Sequence, residues 1–128
     1  MDKTLESFLH PHRKPNVKFR LPSFDAELEM RALSIDETTQ IDKEATEKSL
    51  TYTEVLNRYA VEALVVPNLH NKELLDALSE REGHKILNSY DAYKVLFSGP
   101  EAALIMSKYV DIANLDISFS EKVEEAKN

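Results

Sequence analysis

The sequence predicts an α+β fold: a mainly helical single domain with an N-terminal two-stranded β-hairpin packed on a helical bundle. Three observations predict it. Residues 17–32 alternate apolar and polar side chains in two arms around a proline turn. From residue 34 onward, apolar residues recur at helical spacing behind repeated capping signatures. The length of 128 residues suffices for one core without metal or disulfide.

Leu5, Phe8 and Leu9 stand at i, i+3 and i+4, a short amphipathic turn or two that is too brief to be stable alone. His10-Pro11-His12-Arg13-Lys14-Pro15 breaks any helix twice. Residues 1–15 are therefore an N-terminal arm and stiff linker, followed by the hairpin and helical domain over 16–116 and an acidic flexible tail over 117–128. In the hairpin, Val17, Phe19 and Leu21 alternate with Lys18 and Arg20, and Leu28, Met30 and Ala32 alternate with Glu27, Glu29 and Arg31. A turn at Pro22-Ser23-Phe24-Asp25 sets Phe19 opposite Leu28 and Val17 opposite Met30, and on the other face Lys18 against Glu29 and Arg20 against Glu27. Such pairs favour one register, each by roughly 0.2–1 kcal/mol.

A lone hairpin is marginal in water, so its apolar face must lie on helices, most simply on the one containing Val55, Tyr59 and Ala63. Ser34-Ile35-Asp36-Glu37 is a capping box opening a helix from Ile35 to Lys48, whose sparse apolar positions Ile35, Ile41 and Ala45 leave it mostly wet. Thr51-Tyr52-Thr53-Glu54 opens the strongest core helix, with Tyr52, Val55, Leu56, Tyr59, Ala63 and Leu64 at helical spacing up to Pro67. After a turn, Asn71 caps a short helix bearing Leu74, Leu75 and Leu78 that stops at Gly83. Ile86 to Phe97 forms the next helical stretch, and Pro100 sits at the first position of a final helix carrying Ile105, Met106, Tyr109, Ile112 and Ala113. The five tyrosines fall on these stripes and are expected in the core.

Composition narrows the function. Sixteen basic against 23 acidic residues, net −7, argue against a general nucleic-acid binder. The basic residues gather at the front (Arg13, Lys14, Lys18, Arg20), the acidic ones at the end (Glu121, Glu124, Glu125). The absence of cysteine removes thiolate chemistry and fits a reducing compartment. No apolar run reaches the length of a membrane span, and the start lacks an apolar signal core. Two glycines exclude a glycine-rich phosphate cradle. His10 and His12 lack a third metal ligand nearby, His70 and His84 read as turn residues, and no carboxylate pair stands out as acid and base. No catalytic residue, metal site or cofactor is expected; the chain reads as a non-enzymatic protein that works by binding another protein.

The Leu5–Leu9 arm, the hairpin KFRLPSFDAELEMRALS, the ALVVPNL and KELLDAL segments and VLFSGPEAALIMSKYVDIANL in that order resemble the XkdN-like tail assembly chaperones of phages and prophages of Gram-positive bacteria. The resemblance implies a small protein of the host cytoplasm, absent from the mature virion. It would coat the long helical tape measure protein and keep it soluble until the tail tube assembles around it. It also implies a second, longer product from a programmed ribosomal frameshift, through which the tail tube protein would be reached. Ala126-Lys127-Asn128 can be encoded with the run A-AAA-AAC, so such a slip is expected there. The partner-binding residues expected are Leu5, Phe8 and Leu9 in the arm and Ile105, Tyr109 and Ile112 in the last helix. The rival reading is a non-enzymatic protein-binding adaptor of a mobile element; a gene neighbourhood without tail genes would favour it.

Overall fold

The computed structural model describes residues 2–127, with side chains described for residues 2–114. The elements run α1 (Lys3–Leu9), β1 (Val17–Phe19), β2 (Leu28–Met30), α2 (Ile35–Lys48), α3 (Tyr52–Ala63), β3 (Leu64–Val66), α4 (Lys72–Glu82), α5 (Ser89–Leu96) and α6 (Gly99–Lys127). The acidic tail expected over 117–128 lies outside the residues whose side chains are described.

The hairpin has the register that its side-chain pattern predicts: Val17 faces Met30, Lys18 faces Glu29 and Phe19 faces Leu28. Lys18 Nζ stands 3.9 Å from the Glu29 carboxylate. The strands are shorter than the alternating runs, and the expected Arg20–Glu27 pair is replaced by the Arg20 guanidinium donating to the carbonyl of Asp25. Phe19, Leu28 and Met30 are buried, as is Leu21, which leads into the turn.

The hairpin is not left as two strands. β3 pairs antiparallel with β2, Glu29 facing Val66 and Met30 facing Leu64, so that the sheet order is β1-β2-β3. Leu64, expected to continue the helix, instead ends it. Pro67 disfavours helical dihedrals at Val66, β-branched Val65 and Val66 suit extended backbone, and β2 presents an edge that needs hydrogen-bonding partners. The register shifts between Glu29 and Met30, skipping Val65 as a bulge does.

Helix starts follow local chemistry closely. α2 and α3 each open on a complete capping box, Ser34 with Glu37 and Thr51 with Glu54. Asn71 accepts from the Leu74 amide to cap α4, which Gly83 closes at φ 77°. A third box stands at α6: Ser98 Oγ accepts from the Glu101 amide at 3.3 Å while the Glu101 carboxylate accepts from the Ser98 amide at 2.8 Å. The helix expected from Ile86 starts only at Ser89, because Asn88 caps it and the Ile86 amide donates to Ser79 Oγ at 2.8 Å.

One cluster of buried residues joins the sheet to the helices, among them Met30, Ala60, Leu69, Ala92, Tyr93 and Ile105. α3 buries Ala60, Val61 and Ala63, whereas Val55 and Tyr59 of the expected packing face are only half-buried. Tyr59 stacks on Tyr109 at 5.8 Å between ring centroids, and Lys108 Nζ lies 5.8 Å from the centre of the Phe19 ring. α6 thus runs beside both α3 and the hairpin. Of the five tyrosines Tyr93 is buried, while Tyr52 is 78% exposed at the first position of α3 and does not join the core.

Candidate partner-binding surface

α1 forms on its own N-cap, Asp2, whose carboxylate accepts from the Thr4 amide at 2.7 Å. It buries no residue: Leu5, Phe8 and Leu9 are 56, 79 and 61% exposed. Three large apolar side chains on one face of so short a helix form an uncovered patch, a feature of interaction sites.

The last-helix residues expected beside them lie elsewhere. Ile105 is fully buried at 0% exposure and offers no surface to a partner while the chain is folded. Tyr109 is half-buried against Tyr59, and burial, its largest influence, together with Asp42 raises its phenol pKa. Ile112 is half-buried and lines a groove of about 510 Å³. The groove's accessible apolar lining comes from Val17, Ala32 and Ile112, with the fully buried Met30 beneath, and its rim carries Arg13, Lys14 and Arg31.

Arg31 is fixed in place. Its guanidinium donates to both carboxylate oxygens of Glu37, at 2.8 and 2.5 Å, and to the carbonyl of Glu62 at 3.3 Å. This bidentate pair, reinforced by the Ser34 amide, holds the Glu37 carboxyl down at about 2. Arg13 and Lys14 are exposed and pair with no carboxylate among the described residues. The basic front and the apolar hairpin face are separate features of the sequence. Only the fold brings them together with Ile112, ninety-odd residues further along the chain.

A second cleft, of about 520 Å³, lies between α2, α3 and α5 around Arg58. Arg58 donates to Glu44 at 2.6 Å and lies 4.4 Å from the centre of the Tyr90 ring. Lys48, also 2.8 Å from Glu44, joins its hydrogen bond to the Arg58 charge in keeping that carboxylate ionised. A smaller apolar notch of about 190 Å³ opens between Phe24, Leu28, Val66, Leu74 and Phe97.

Acid–base catalysis needs a carboxyl whose pKa is pushed up beside one left low. Among the described residues, the carboxyls with a resolved shift, Glu37, Glu44 and Glu101, all move down. Tyr59 is pushed up to about 12 by burial and by its hydrogen bond to Asp42, and Tyr93 is raised further by burial, so both phenols stay protonated. His10 and His12 are exposed in the linker, and no group of three potential metal-binding side chains occurs among the described residues.

The sequence family described as phage XkdN-like tail assembly chaperone protein matches residues 5–127. No curated protein matches the chain. Among solved structures, the crystal structure of the protein yqbn is similar at a TM-score of 0.63 and 22% identity, covering 88% of this chain and 95% of that one. At that identity the likeness speaks for the fold alone.

Proposed function

The chain belongs to the phage XkdN-like tail assembly chaperone family, and from that premise we propose that it binds the tape measure protein and keeps it soluble during tail morphogenesis. The observation that carries this reading beyond the family is the uncovered apolar face of α1. A tape measure protein is a long helix with apolar stripes, and a chaperone for it must offer apolar surface to those stripes while remaining soluble itself. A net charge of −7 over a small domain supplies that solubility. The chain acts by binding, without catalytic turnover, in the host cytoplasm, and leaves before the virion is complete. No helix of the described residues is long and apolar enough to cross a membrane.

Co-expression with a fragment of the cognate tape measure protein that is insoluble alone tests the proposal. The fragment is expected in the soluble fraction with the parent chain and in the pellet with the Leu5→Ser/Phe8→Ser/Leu9→Ser variant. A fragment that stays insoluble beside the parent chain removes the proposal's main support.

A further inference from the structure

We infer that the groove between the linker, the hairpin and α6 is the seat for an amphipathic helix with an acidic edge, and that α1 closes over it. The inference rests on the chaperone reading above and assigns its contact surface. In a chain of net charge −7, the rim of this groove is locally cationic. Arg31 is neutralised by Glu37, so the attraction falls to Arg13 and Lys14. Between them the accessible apolar lining of Val17, Ala32 and Ile112 matches what the buried stripe of a helix needs.

The chain connection to α1 adds to this. The linker that lines the groove at Arg13–Asn16 is the segment that carries α1, and Pro11 and Pro15 stiffen it. A helix lying in the groove would therefore have the apolar face of Leu5, Phe8 and Leu9 within reach of its other side. The apolar face of α1 could also dock into the groove of a second copy. Charge favours the acidic partner helix, because α1 brings only Asp2 and Glu6 against Lys3.

The test uses the full chain and two fluorescein-labelled synthetic helices, each with a leucine stripe, one flanked by glutamates and the other by lysines. The glutamate helix is expected to bind about tenfold more tightly, with an affinity that falls as salt rises. Arg13→Glu/Lys14→Glu, at exposed linker positions with little to lose in folding, should remove about that factor and the salt dependence. Equal binding of the two helices, or an unchanged affinity in the charge-reversed variant, overturns the assignment. A dimer of the parent chain in light scattering that the charge reversal dissociates also overturns it, in favour of a second copy as occupant. Co-expression separates this inference from the chaperone reading. If the charge-reversed variant keeps the tape measure fragment soluble as well as the parent does, the groove assignment fails and the chaperone reading stands. If the parent binds the glutamate helix yet leaves the fragment insoluble, the groove stands and the chaperone reading fails.

Discussion

α1 and the first half of α6 both carry apolar residues at helical spacing and meet different fates. Leu5, Phe8 and Leu9 in one, and Ile105, Tyr109 and Ile112 in the other, each mark a single helical face. In α6 that face is covered at Ile105, sealed in the core, and at Tyr109, which stacks on Tyr59, and only Ile112 is left lining the groove. In α1 it meets solvent along its length. Helical periodicity identifies which face is apolar; whether that face is covered depends on where the chain has gone before and after. α1 is followed by a linker with two prolines and buries no residue, whereas a capping box at Ser98 opens α6, which runs along α3.

The contrast is broken most severely on the buried side. Phe19→Ala beneath Lys108 should cost about 3–5 kcal/mol and Ile105→Ala about 2–5 kcal/mol, as truncations in a packed core do. A thermal melt of either variant that matches the parent would show that α6 does not seal the hairpin. Ser98→Ala asks whether α6 owes its start to local capping. Loss of the box should cost about 1 kcal/mol in chemical denaturation, and no loss would mean that packing alone places the helix.

Acid titration probes the join between the sheet and α2. Glu37 stays ionised in the folded chain down to about 2, against an ordinary 4.5, because Arg31 and the Ser34 amide hold it. Its contribution is therefore whole above pH 4.5 and is lost as pH falls through the folded value. The pair is partly exposed, so the contribution should be no more than roughly 1 kcal/mol. Glu37→Gln should flatten that part of the pH–stability curve; a curve of unchanged slope would remove the ion pair from the account. The smallest effect belongs to the uncovered face: Phe8→Ser should change stability by no more than about 0.5 kcal/mol. A larger loss would show α1 docked on the body in solution, and the comparison with α6 would collapse.

Local chemistry was legible in the sequence. The hairpin register follows from period-two alternation and opposite-charge pairs, because a slip of one residue would turn Phe19, Leu28 and Met30 out to water. The starts of α2, α3 and α4 follow from side chains that satisfy amides within a single turn. The same S-x-x-E form at Ser98–Glu101 was equally present but hidden behind the stronger signals of Gly99 and Pro100.

What the tertiary structure decided is whatever depends on partners distant in sequence. Leu64–Val66 reads as the end of a helix until β2 supplies an unpaired edge for it, and Tyr52 reads as core until the fold leaves its side chain uncovered. The groove required the linker, β1, β2 and α6 to converge, and no spacing along one segment encodes that convergence. Hydrogen bonds within a turn act over three or four residues and leave their mark on the sequence, whereas burial is a property of the surfaces that other segments bring.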